Sequence, residues 1–91
     1  MKGVKYMSLF ESRMGKKYIV NEIIEKEEVG RRLEALGINE GTIVSVLNKK
    51  KNGAIIIKVR GVRLAIGKAI STGIFVSEVN MDNGSSDKER G

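Results

Sequence analysis

The residue types that carry much of protein chemistry are missing from this chain, which has no histidine and no cysteine. Thiolate nucleophiles, thiolate metal sites and imidazole bases are therefore excluded within it. Carboxylate is what remains for a metal. Glu25 with Glu28, and Glu27 with Glu34, fall on a shared side of an expected helix region, while Asp82, Asp87 and Glu89 lie in a polar tail. Carboxylate pairs without imidazole suit hard cations and hold transition metals weakly, and acids at a helix start are already accounted for by the helix dipole. Neither a cofactor nor a metal-ligand set is expected. Ser71 near Lys68 is the nearest thing to a nucleophile beside a base, and no spacing sets one against the other. The run Gly61-Val62-Arg63-Leu64-Ala65-Ile66-Gly67-Lys68-Ala69 resembles a phosphate-binding loop only superficially. Five residues separate its glycines where that loop needs four, and Ala69 stands where a hydroxyl would hold magnesium. Catalysis is not expected of this chain.

Binding is better supported. The net charge of +6 is unevenly spread: residues 18–48 hold three basic and six acidic side chains, and residues 49–79 hold seven and one. The helical part is acidic and the later strands are basic. Such a balance favours anionic partners, whether an acidic protein face, nucleic acid or the inner membrane surface. Arg60-Gly61 marks a tight two-residue turn, which pairs Val59 with Val62, Ile57 with Leu64 and Ile55 with Ile66. One face of that hairpin is then aliphatic, and burial explains the register. On its other face Lys58 lies across from Arg63, with Arg60 at the turn. Like charges opposed on a sheet cost stability unless solvent or an anionic partner relieves them. Lys58, Arg60 and Arg63, with apolar contacts from Ile38, Ile56 or Phe75, are the candidate partner-binding residues; a solvated basic strand pair is the competing reading.

The elements that must position these residues are legible in turn chemistry and periodicity. Ninety-one residues, 41% of them hydrophobic, suit one small domain. Residues 1–7 read as a loose arm, with Met1 and Met7 both open as starts, and Ser8 to Gly15 leads into a first strand. Tyr18 to Ile24 is rich in strand formers, with an irregularity at Asn21-Glu22. A helix is expected over Glu27 to Leu36. Gly37 sits where a helix needs a left-handed residue, and Ile38 can fold back onto the last turn. Asn52-Gly53 signals a two-residue hairpin turn between strands over 44–51 and 54–60. Gly67 to Gly73 is a short turn or single helical turn, and Ile74 to Val79 is the closing strand. From Asn80 the composition turns polar and aperiodic, so residues 80–91 are expected to be a disordered tail. No apolar run is long enough to cross a bilayer as a helix, and the chain reads as soluble and cytoplasmic. About five short strands with one helix cannot cover an open sheet on both faces, so a small barrel is the expected solution.

Several of these residues resemble the FeoA family, whose domain is an SH3-like barrel. Ser8-Leu9 before Gly15, then Arg32-Leu33 with Leu36-Gly37-Ile38 and Gly41, match its first half. Val59 with Gly61, Leu64-Ala65-Ile66, Ala69 and Ile74-Phe75-Val76 match its second, so that residues 8–79 form the family-like domain. The triple Lys49-Lys50-Lys51 and the polar tail depart from the pattern. The resemblance implies an accessory, regulatory role in ferrous iron uptake through the membrane transporter FeoB and its cytoplasmic GTP-binding domain, and places the chain in the cytoplasm or at the inner face of the membrane. Three other functions compete, one of them weak binding of a transition metal ion by carboxylates alone. A small basic barrel could bind nucleic acid, although the aromatic residues Tyr6, Phe10, Tyr18 and Phe75 make a thin stacking platform, and a barrel edge could pair with a second copy.

Overall fold

The computed structural model describes residues 6–79. In chain order the elements are β1 (Met7–Ser8), a 3-10 turn (Leu9–Glu11), β2 (Lys17–Ile23), α1 (Glu27–Ala35), β3 (Ile43–Lys49), β4 (Ile55–Val59), β5 (Val62–Ile66), α2 (Lys68–Ser71) and β6 (Ile74–Glu78). The six strands form one antiparallel sheet in the order β1-β6-β2-β3-β4-β5. This is the mainly β, SH3-like fold that the resemblance implied. Among the described residues the sheet is not closed into a barrel by pairing between β1 and β5, so this SH3-like sheet keeps two edges.

Alternation along the strands decides which side chains enter the core. Tyr18 and Val20 of β2, Val44 and Val46 of β3, Ile55, Ile57 and Val59 of β4, Ile66 of β5, and Ile74 and Val76 of β6 are all buried. Leu9, Leu33 and Ile38 cap this layer. Tyr18 brings a hydroxyl inside, and the Arg13 backbone N–H donates to it at 2.9 Å. A buried phenol is costly without such a partner. Two register shifts bend the sheet, one between Val20 and Glu22 and one between Val46 and Asn48. The first falls at the expected irregularity: Asn21 drops out of the ladder and its side-chain amide donates to Ser77 Oγ at 2.8 Å.

α1 ends as its sequence dictates. The Ile38 N–H donates to the Leu33 carbonyl and the Gly37 N–H to the Glu34 carbonyl, both at 2.9 Å, with Gly37 at φ 88°. These are the two bonds of a Schellman cap, and they need a residue that tolerates positive φ. Ile38 thereby folds back against Leu33 and is buried with it. Thr42 locks the following turn, accepting from the Asn39 N–H and donating to the Gly37 carbonyl through one hydroxyl.

Three expectations need correction. Met7 does not belong to a loose arm: it lies in β1, paired with Val76 of β6. Residues 1–5 of the expected arm, and the tail over residues 80–91, lie outside the described residues. The turn at Asn52-Gly53 contains three residues, not two, because the Lys50 N–H donates to the Ala54 carbonyl and closes the loop around Lys51, Asn52 and Gly53. Only Gly53 there has positive φ, since Asn52 spends its side-chain oxygen on the Ala54 N–H at 3.0 Å. Ile38, named as an apolar contact for a partner, is 1% exposed and belongs to the core; the cap that folds it over Leu33 removes it from the surface.

Candidate interaction face

The β4–β5 hairpin is built by its turn. Arg60 has φ 53° and Gly61 φ 83°, and Arg60 is the one non-glycine residue at positive φ among those described. A two-residue loop with both φ positive matches the right-handed twist of the strands it joins, and it fixes Val59 opposite Val62. From that pair the register runs Lys58 to Arg63, Ile57 to Leu64, Ile56 to Ala65 and Ile55 to Ile66. Every pairing expected from the sequence is present. The aliphatic face is less uniformly covered than its composition suggests, because Val62 remains 57% exposed.

Lys58 and Arg63 are both exposed on the sheet's outer face. They occupy a non-hydrogen-bonded position of the hairpin, where Cα atoms approach to about 4.5 Å. Strand order adds a residue that sequence reading missed. Lys17 of β2 is the register partner of Ser45 in β3, and Ser45 is the partner of Lys58. Lys17, Ser45, Lys58 and Arg63 thus form one row across four strands, three of them cationic and exposed. The alternation that buries Tyr18 and Val20 already put Lys17 on the outer face, but its neighbours depend on strand order, which no local pattern carries. The two ion pairs among the described residues lie elsewhere: Lys16–Glu78 at 3.1 Å and Arg31–Glu27 at 3.7 Å. No carboxylate described here neutralises the row.

The remaining candidate residues divide. Ile56 is half-buried beside Lys58 on the outer face, next to exposed Ala65. Arg60 serves a local role as well, since its Cδ and Nε lie 3.6 Å from where a Cβ on Gly37 would stand. That sets a guanidinium over the C-terminal end of α1, where the dipole favours positive charge. Phe75 is half-buried on β6, opposite Ser8 and Glu22. It is three strands away from β4 in the sheet order and does not join the cationic row.

The acidic part of the chain makes a different surface. A groove of about 600 Å³ beside α1 is lined by Glu25, Glu27, Glu34 and Glu40 together with Lys26 and Arg31. Among the described residues no three metal-donor side chains converge there or elsewhere. Glu27 and Glu28 occupy the first turn of α1, where the dipole stabilises them. Glu25 differs: its Oε2 is buried without a hydrogen-bond partner, and burial pushes its carboxyl above the usual carboxylate range. The cause is close packing against Gly73. A Cβ on Gly73 would collide with Glu25 Oε2 and stand 2.5 Å from the Ile24 carbonyl oxygen.

Aromatic side chains are not gathered on the basic face. Tyr18 is in the core, and Phe10 has the ammonium groups of Lys68 and Lys49 at 5.3 and 5.8 Å from its ring centre. Lys49 also donates to the Ser12 carbonyl at 2.7 Å, so this cluster ties the β3 end to the 3-10 turn.

The FeoA domain matches residues 7–78. The chain belongs to the FeoA family. Solved relatives agree in fold. The crystal structure of an iron uptake regulatory protein (FeoA) shares 33% identity, with a TM-score of 0.76 over 82% of this chain and 100% of that one. The FeoA protein from Chlorobium tepidum is 28% identical, with a TM-score of 0.76 over 93% of this chain and 82% of its own. A FeoA-like protein from Clostridium acetobutylicum is 26% identical, with a TM-score of 0.75 over 86% and 92%. The manganese regulator SloR shares the fold alone, at 16% identity and a TM-score of 0.72, over 80% of this chain and 34% of SloR. No curated protein matches the chain. Among the described residues no helix is long and apolar enough to cross a membrane.

Proposed function

We propose that this FeoA-family chain is a non-enzymatic accessory protein of ferrous iron uptake. It docks on the cytoplasmic part of a FeoB-type transporter and shifts the balance among the transporter's states. The docking face is the outer side of β2 to β5, with Lys17, Lys58 and Arg63 meeting acidic side chains and Ile56 adding apolar contact. The observation that carries this reading is the cationic row, left without carboxylate partners among the described residues. Like charges held in line on a sheet are a cost to folding, and an anionic partner relieves it. Modulation follows from linkage: the protein acts only as far as it binds the transporter's states with different affinity. This reading places the chain in the cytoplasm, at the inner face of the membrane when bound.

The test is co-purification of the full chain with the isolated cytoplasmic domain of a FeoB-type transporter, followed by nucleotide turnover of that domain with and without it. A stable complex that changes turnover is expected. Turnover that is identical at saturating concentrations, with no complex, contradicts the reading. Binding to single-stranded or duplex nucleic acid that weakens steeply with salt would favour the nucleic-acid alternative instead.

A further inference from the structure

The two edges of the sheet are unlike. β1 is an edge of two residues, running straight into a 3-10 turn. Short edges of this kind are poor templates for pairing. β5 is an edge of five residues with no bulge in its pairing to β4, and the whole chain contains no proline to interrupt it. Because the Arg60-Gly61 turn makes Val59 and Val62 a hydrogen-bonded pair, the backbone groups of Val62, Leu64 and Ile66 point to β4. Those of Arg63 and Ala65 point away from it. Neither residue takes part in any backbone hydrogen bond outside the ladder among the described residues, and both are exposed.

We infer that β5 accepts an additional strand, an extended segment of a protein partner that alternates acidic and apolar residues. The inference rests on the docking function proposed above and specifies its mode. A strand added at β5 sets one of its side chains beside Arg63 on the outer face, which extends the row from Lys17 through Lys58 by one position. An acidic residue suits that position. The neighbouring positions on the added strand face the other way, toward exposed Val62 and half-buried Leu64, where an apolar side chain covers aliphatic surface. Main-chain bonds supply affinity in such an arrangement, and the alternating side chains supply selectivity. A second copy of this chain is a poorer occupant. Pairing all five residues of β5 with their own symmetry mates requires a register centred on Leu64, which sets Arg63 across from Ala65 of the other copy, so that no acid meets Arg63 and two basic edges come together.

Amide hydrogen exchange in the full chain, with and without the isolated cytoplasmic domain of a FeoB-type transporter, tests this residue by residue. Binding should slow exchange at Arg63 and Ala65 by about tenfold or more, and leave Val62 and Leu64, already bonded to β4, nearly unchanged. Ala65→Pro removes an outward N–H without touching the β4 ladder and should weaken binding about tenfold, whereas Ala65→Ser keeps the N–H and should bind as the parent does. A complex that forms without protecting Arg63 and Ala65, or a folded Ala65→Pro variant that binds like the parent, overturns strand addition while leaving docking intact. Absence of any complex overturns the docking reading instead. In that case the edge is tested with an end-blocked peptide of alternating glutamate and valine, which must protect the same two amides for the inference to survive. Protection that grows with the protein's own concentration would show a second copy on β5 and overturn the assignment.

Discussion

The sheet face around β4 and β5 and the groove beside α1 handle charge in opposite ways. At α1 several charges are answered locally: Glu27 and Glu28 sit in the first turn, Glu27 lies near Arg31, and Arg60 covers the helix end at Gly37. Across the sheet, Lys17, Lys58 and Arg63 are aligned by register with no such answer among the described residues. Charges that stabilise a fold come with partners inside it. Charges aligned at a cost call for a partner outside, and on this difference rests the proposal that the acidic side is structural and the basic side the docking face.

Breaking the structural side should have the largest effect. Gly73→Ala forces a methyl against the Ile24 carbonyl oxygen and the Glu25 carboxyl, and is expected to cost about 2–3 kcal/mol, read as a lower denaturant midpoint. Partner affinity of the molecules that remain folded should not change. The docking side should respond the other way round. Lys58→Glu turns an opposed like-charge pair with Arg63 into an attractive one, so stability is expected to rise by about 0.5 kcal/mol while association weakens about tenfold. Thermal unfolding and a binding titration on one sample separate the two effects. A fall in both would mean that Lys58 serves the fold.

The smallest effect sharpens the comparison at Glu25, the one acid of the α1 groove with an unanswered buried oxygen. Burial raises its pKa in the folded state, so the folded protein holds the proton more tightly than the unfolded chain does. Stability is then fully present below the ordinary carboxylate value and declines as pH rises through the raised one. Glu25→Gln should therefore raise the melting temperature at neutral pH, with the gain fading as pH falls below the ordinary carboxylate range. A gain independent of pH would assign the effect to packing.

Much of this fold is legible in the sequence because its signals are local. The Arg60-Gly61 turn sets the hairpin register by itself, the Leu33 to Ile38 stretch encodes its own cap, and Asn21-Glu22 marks the bulge. What escaped needs knowledge of strand order or competition between neighbours. Met7 pairs with a residue far along the chain, Lys17 joins Lys58 only through Ser45, and Phe75 is separated from the hairpin by β2 and β3. Ile38 is legible in the sequence as a helix cap, and the same capping bond buries it, which removes it from the surface contacts expected of it. At Asn52 a side-chain bond to Ala54 competed with the two-residue turn and won.

The central claim is that the row of cations on the outer face binds a partner and does not serve the fold. Its most direct test replaces Lys17, Lys58 and Arg63 together with glutamine and measures both thermal stability and affinity for the transporter's isolated cytoplasmic domain. The account predicts equal or higher stability with binding lost; retained affinity, or a protein that loses its fold, would contradict it.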